Sequence, residues 1–312
     1  MNKEQLTSNN VKERGPHTSL LRIFLFSLFF FLFSFLPGCS SAPKRAEEIF
    51  IDRNTAAKQL ILANYNANRG RYEDALIILE DTWRIVLGTD DPSLRIKTTT
   101  SRGSILFFLG RHDEAFRAWE NAAAEGDNSG EPALAALARI YIIRAKLMQL
   151  ADGSEDSEQA DAAAEEYRSQ VRQQMAAIRS DPSSLAAGYV TVGLAEKQRG
   201  RWNQAERAAR RALSIHEKNR YLEDAAYDWF LIASIRSMAG NYSTALEALN
   251  AAIVFDRRAE NGFGLASSWQ AMGDVYQKAG QPEESRAAYR RAAEIFRAMG
   301  LNDRAEKAEK QL

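Results

Sequence analysis

A six-residue turn recurs along the chain and restricts what it can fold into. It reads Gly70-Arg71-Tyr72-Glu73-Asp74-Ala75. It returns as Gly110-Arg111-His112-Asp113-Glu114-Ala115, as Gly200-Arg201-Trp202-Asn203-Gln204-Ala205 and as Gly240-Asn241-Tyr242-Ser243-Thr244-Ala245, with a weaker copy at Gly280-Gln281-Pro282-Glu283-Glu284-Ser285. Each copy follows one stretch of helical apolar spacing and precedes another, so it joins two helices, and the helix pair is the repeating unit. The glycine falls just past the end of the first helix, where a left-handed residue closes the helix at little cost. The aromatic two residues on (Tyr72, Trp202, Tyr242) is expected to pack over the turn. The alanine five residues on is expected where the two helices approach most closely.

The small inward residues are Ala75, Ala115, Ala160, Ala205, Ala245 and Ser285, separated by 40, 45, 45, 40 and 40 residues. A regular helix-pair period predicts a solenoid. The array is read as starting near Asn54, a helix cap. Asp91-Pro92 and Asp181-Pro182 each supply a cap followed by a first helical residue. Residues Gly126 to Gly130 (GDNSG) read as a loop. The third repeat is divergent, with helices over about 132–150 and 158–179 joined by a longer acidic turn. That turn has calcium-loop-like Asp and Ser spacing, but its glycine is misplaced and no glutamate closes it. Residues 302–312 form a last amphipathic helix that covers the open face of the array, as solenoids require.

The residue pattern of the unit resembles the tetratricopeptide repeat. In the sixth copy Trp269, Met272-Gly273, Tyr276, Gly280, Tyr289 and Ala292 fall on that family's aromatic, apolar-glycine, aromatic, turn and small-residue slots. The fourth copy (Tyr189, Val192-Gly193, Ala205, Ala212) and the fifth (Trp229, Ile232, Ala245, Ala252) follow the same pattern. The period is longer than the family's usual length of about 34 residues, and looks like the variant with an extended second helix. The resemblance implies an all-α, right-handed α-solenoid of about six helix pairs with a C-terminal capping helix. It also implies that the first helices line a concave groove that takes extended or helical peptides.

Little else in the chain points to chemistry. Basic and acidic residues balance at 41 each, so no nucleic-acid footprint is present. His112 and His216 stand isolated, with no metal-ligand spacing. There is no nucleophile elbow and no phosphate loop. The expectation is therefore a non-enzyme without metal or cofactor, whose function lies on a surface. Groove candidates come from the side of the first helices that the core stripe does not use. They are Phe107 and Phe108 in the second repeat; Val190 and Leu194, with Lys197, in the fourth; Tyr227, Phe230, Leu231 and Ser234 in the fifth; Gln270 and Asp274, with Lys278, in the sixth. The run Tyr-Asp-Trp-Phe-Leu-Ile at 227–232 holds more apolar residues than one buried stripe needs. An exposed apolar patch that binds a partner is expected there, with burial and self-association as the alternatives.

The amino terminus reads differently. Lys12, Arg14 and Arg22 precede the apolar run Ile23 to Leu36, which is 14 residues long. That is short for a membrane span and suits a signal-peptide core. It ends in Leu36-Pro37-Gly38-Cys39, which holds the chain's single cysteine. This resembles the bacterial lipoprotein signal, with Pro37 where Ala or Ser is commoner. In that family the signal is cut before the cysteine, whose thiol carries a diacylglycerol; two or three acyl chains then hold the protein stably. The expected organisation is a signal peptide over 1–38, a lipidated tether over 39–53, the repeat domain over 54–300 and a capping helix over 301–312. The expected function is a lipid-anchored scaffold of the bacterial outer membrane, on its periplasmic or surface face, that holds an envelope protein or peptide in its groove. A second copy of the chain is a further candidate partner. The alternative is an accessory of substrate-binding-protein-dependent solute uptake that handles a small apolar ligand.

Overall fold

The helix starts follow from local chemistry. The side chain of Asp91 accepts a hydrogen bond from the Leu94 amide at 3.1 Å, and Asp181 does the same for Ser184 at 2.8 Å. Each is followed by proline, whose missing N–H would be unpaired in any case. The computed structural model describes residues 50–152 and 157–312. Among these are six helix pairs and a single last helix. The pairs are α1 (Ile51–Asn68) with α2 (Tyr72–Thr89), α3 (Pro92–Phe108) with α4 (His112–Asn128), α5 (Pro132–Asp152) with α6 (Ser157–Gln174), α7 (Pro182–Gln198) with α8 (Trp202–Asn219), α9 (Leu222–Met238) with α10 (Tyr242–Arg258), and α11 (Gly262–Lys278) with α12 (Pro282–Ala298); α13 (Asn302–Glu309) follows. No strand occurs among the described residues. The fold is all-α and solenoidal, as the turn pattern predicts.

The turns close as expected. Gly70, Gly110, Gly200, Gly240 and Gly280 all have φ between 66° and 79°. The residue after each glycine donates its amide back to a carbonyl five residues earlier, as from Arg71 to Asn66 at 3.0 Å and from Arg111 to Leu106 at 2.9 Å. This satisfies carbonyls that the helix end would otherwise leave open. Ala75, Ala115, Ala205, Ala245 and Ala292 have no exposed surface.

Three boundaries differ from the sequence reading. Helix α1 starts at Ile51, not near Asn54, with no side-chain cap; Asp52 in its first turn complements the helix dipole instead. Ile61 and Leu62 are exposed on it, and Leu60 is the inward residue. Gly126 is not loop: α4 runs through it to Asn128, and it lies against Ala135 so closely that a Cβ would stand 2.8 Å from that side chain, so the glycine serves packing rather than a turn. Helix α6 ends at Gln174, and residues 175–180 turn before the Asp181 cap. Most of the acidic turn after α5 lies outside the described residues, as do residues 1–49, which hold the apolar run expected to be a signal segment and Cys39.

Each helix packs on its partner and on the next helix in the chain. The first helices also meet across repeats, α1 with α3, α3 with α5, α5 with α7 and α9 with α11, whereas successive second helices do not pack closely on one another. The first helices therefore line the inside of the curve and the second helices splay outward. The core is a chain of apolar clusters along this stack. It ends where Ala305 and Ala308 of α13 cover Ala292, Ala293 and Phe296.

Candidate functional site

The concave face is built by the first helices, and its middle holds a polar group that spans three repeats. Arg144 of α5 donates to Thr191 Oγ1 at 3.1 Å and to the Ala187 carbonyl at 2.8 Å, both on α7. Its charge also acts on Asp224 and Tyr227 of α9. Tyr227 is 44% exposed, and Asp224 is exposed as well. Surrounding protein nevertheless removes much of the bulk water, and this desolvation raises the pKa of both. Toward the other ends of these helices, burial and the charge of Lys278 on α11 lower the pKa of Lys197 on α7. The concave wall thus runs from Asp224 and Tyr227 at one edge to two lysines at the other.

The curve also closes on itself. The turn after α1 reaches residues more than 150 positions away. Asn68 Nδ2 donates to Glu223 Oε2 at 2.6 Å, and Arg69 donates to Glu223 Oε1 at 3.4 Å and to the Glu260 carbonyl at 3.3 Å. Arg69 is 6% exposed and lies 3.4 Å over the Tyr65 ring. Gly70 sits so near Phe263 that a Cβ would stand 2.8 Å from its ring, with Leu301 at 3.4 Å. Burial raises the pKa of Tyr72, against the charge of Arg304 from α13. The first repeat therefore docks on the fifth, the sixth and the last helix, and the concave face becomes a ring rather than an open groove.

The sequence candidates divide between these surroundings. Tyr227 and Phe108, the latter 55% exposed, are open; Phe108 stacks on Tyr72 at 5.3 Å. Leu194 and Phe230 are half-buried against the core. Ser234 and Gln270 are half-buried, and exposed Asp274 accepts the Tyr289 hydroxyl at 2.5 Å. Phe107, Val190 and Leu231 are core, not groove. Phe107 packs on Trp119 and His112, and Val190 and Leu231 belong to the central cluster. The reason is that a first helix is enclosed by its own second helix, by the preceding one and by neighbouring first helices, so it buries more than one stripe. Sequence reasoning missed Arg144, Asp224, Arg69, Glu223 and Glu260. For Arg144 a signal existed, one arginine inside the apolar run Ile140 to Ala145; for the ring contacts there was none.

His216 is not isolated, contrary to the sequence reading. Its Nδ1 lies 2.6 Å from Asp228 Oδ2, and both residues are buried. Burial raises Asp228 to about 6 against the hydrogen bond from His216. For His216 burial opposes the charged form, but the Asp228 hydrogen bond and charge prevail and its pKa is raised. Forty residues on, Asp256 and Ser268 occupy the same two positions, with Ser268 Oγ 3.5 Å from Asp256 Oδ2. The pair is thus one instance of a repeated polar clip between a second helix and the next first helix. Among the described residues no cluster of His, Cys, Asp and Glu has the makings of a metal site, and no helix is long and apolar enough to cross a membrane.

Comparison with known proteins bears on the last two repeats most directly. Residues 224–298 match the family model of the tetratricopeptide repeat. No curated protein matches the chain. Among solved structures, a Rap protein complexed with competence and sporulation factor is similar, with a TM-score of 0.56 and 13% identity over 82% of this chain and 73% of that one. A chain of the APC/C hetero-tetramer Cut9–Hcn1 gives a TM-score of 0.50 and 17% identity over 81% of this chain and 42% of that one. PilW, a widely conserved type IV pilus biogenesis factor, gives 0.47 and 14% over 81% and 97%. The likenesses at 0.50 and above agree with the helix-pair packing: the fold is a tetratricopeptide-type solenoid. Repeat proteins of this kind are generally protein-interaction scaffolds without catalytic activity.

Proposed function

We propose that the protein is a lipid-anchored scaffold of the bacterial envelope that holds a protein or peptide partner on its concave face. The observation that carries the binding part is Tyr227. It is a large aromatic left 44% exposed beside Arg144 and Asp224 on the inner surface of the curve. Aromatic side chains with a polar rim are what peptide-binding surfaces use. The Rap structure, complexed with competence and sporulation factor by its description, supports a bound factor as occupant of such a solenoid. The anchoring part rests on the apolar run that ends at Leu36-Pro37-Gly38-Cys39.

Two experiments test the parts separately. Metabolic labelling with a radioactive fatty acid should mark the wild type and not Cys39→Ala, which should accumulate unprocessed; equal labelling of both overturns the anchor. Capture from native envelope extracts should lose a discrete protein or peptide when Tyr227→Ala is used as bait, with helicity by circular dichroism unchanged. The same captured set with both baits overturns the concave-face reading.

A further inference from the structure

The outer side of the solenoid has a feature that the concave-face reading does not use. Between α6 and α8, over α7, lies a cleft of ≈ 370 Å³. Its floor is Tyr189, Val192 and Glu196 of α7, with Met175 and Ala208 adding apolar wall. At its rim stand Arg172 of α6 and Arg207 and Arg211 of α8. Arg211 stacks over Tyr189 at 5.6 Å. Among the described residues none of these three guanidinium groups forms an ion pair, while Arg210 on the same helix binds Glu206. Glu196 is 3% exposed, and its Oε2 is buried with no hydrogen-bond partner. Its Oε1 pairs with the Arg168 guanidinium at 3.6 Å, a charge contact too long for a hydrogen bond, and Oε2 is left without a donor. A buried carboxylate oxygen left without a donor is costly.

The equivalent positions forty residues on, over α9 between α8 and α10, serve as an internal control, and there Arg236 stands in place of Glu196. Arg236 donates to Glu206 at 2.9 Å and to the Thr244 carbonyl at 2.8 Å. Glu247 and Ala251 stand where Arg207 and Arg211 do. Those positions pair their own charges; the cleft over α7 reverses the charge at the floor and leaves cations at the rim and an acceptor below.

We propose that the cleft between α6 and α8 binds a small oxyanion that also carries a hydrogen-bond donor. The anionic group lies among Arg172, Arg207 and Arg211, and the donor reaches Glu196. Guanidinium groups match carboxylate and phosphate oxygens geometrically. The buried carboxylate makes the site selective, because an oxyanion without a proton to donate meets the repulsion of Glu196 with no hydrogen bond to offset it. The volume lies in the range of small-molecule sites rather than of protein interfaces. The cleft is on the opposite side of the first helices from the concave face, so the proposal stands independently of the partner reading.

Isothermal titration calorimetry of the full-length chain near neutral pH and at low salt tests it with three probes. Inorganic phosphate is an oxyanion with a donor, L-glutamate is an acid with an ammonium donor, and sulfate has no donor. Phosphate, glutamate or both should bind at one site, and the tighter of the two names the acid class. Sulfate should bind about tenfold more weakly or worse, the size of one lost charged hydrogen bond. Arg207→Gln with Arg211→Gln should weaken binding by about a hundredfold on the same scale, and Arg210→Gln should leave it unchanged. Glu196→Gln should bring sulfate up to phosphate. No binding of either donor-bearing probe, sulfate binding as well as phosphate in the wild type, or equal loss in Arg210→Gln would each overturn the proposal. The wild-type comparison decides the matter even where Glu196→Gln does not fold.

Discussion

Asp256 is a buried carboxylate, 2% exposed. Burial raises its pKa to about 7, against hydrogen bonds from Asn261 at 2.8 Å and Ser268 at 3.5 Å. The sign follows from proton binding. The native state holds the Asp256 proton up to about pH 7, whereas the unfolded state releases it near its ordinary value of 3.8. Stability from this group is therefore present in acid and is lost as pH rises through that window. Asp256→Asn keeps the shape without the charge. It should raise the melting temperature at pH 8 and converge on the wild type near pH 4, which calorimetric scans across pH would check. Two glycines test packing at the same scale. At Gly264 a Cβ would stand 2.2 Å from Asp256 Oδ1 and 2.4 Å from Asn261 Nδ2, whereas at Gly88 it would meet nothing within 4 Å. Both lie in helices, where Gly→Ala ordinarily stabilises by roughly 0.5–1 kcal/mol. Gly88→Ala should gain about that much, and Gly264→Ala should instead destabilise, by about 1–3 kcal/mol through overpacking. Urea titrations would separate the two.

The helix is the scale at which local sequence signals hold and at which surface assignment departs from them. The turn glycines, the inward alanines and the two Asp-Pro starts are local signals with local causes, and the structure has each where the pattern puts it. Surface assignment depended on a different rule, that a helix buries one stripe. The second helices obey it: α8 keeps Ala205, Ala209, Ala212 and Leu213 inside and its arginines out. The first helices do not, because they are enclosed from several directions; in α9 the buried residues include Ala225, Ala226, Asp228, Leu231, Ile232 and Ile235. Leu231 thus looked surplus and is core. Leu231→Ala should cost about 2–5 kcal/mol, as for other buried leucines, while Tyr227→Ala four residues earlier should change stability by less than about 1 kcal/mol. Chemical denaturation of the two variants measures this, and equal losses would refute the division of α9 into an inner and an open side. Side-chain pairings such as His216 with Asp228 were illegible for a related reason: a twelve-residue separation across a helix junction has no signature until the junction angle is known.

At the scale of the molecule, the contact of the first turn with the last repeats was beyond any periodic reading, since it joins residues 68–70 to positions 223, 260, 263 and 301. Its size is set by few groups, chiefly Arg69 and Asn68 on Glu223 and the close seat of Gly70 on Phe263. Arg69→Ala with Glu223→Gln should loosen it, and small-angle X-ray scattering should show a larger radius of gyration with helicity unchanged; an unchanged radius would mean that these polar groups are not what holds the ends together. A consequence follows for how the protein comes apart. A linear stack of repeats frays from its termini, because each end unit has a neighbour on one side only. Here the first unit has a second neighbour, so neither end is free to melt alone. Amide exchange in α1 should then be nearly as slow as in α9, and the whole array should unfold in one cooperative step, like a hoop that fails only when its clasp does.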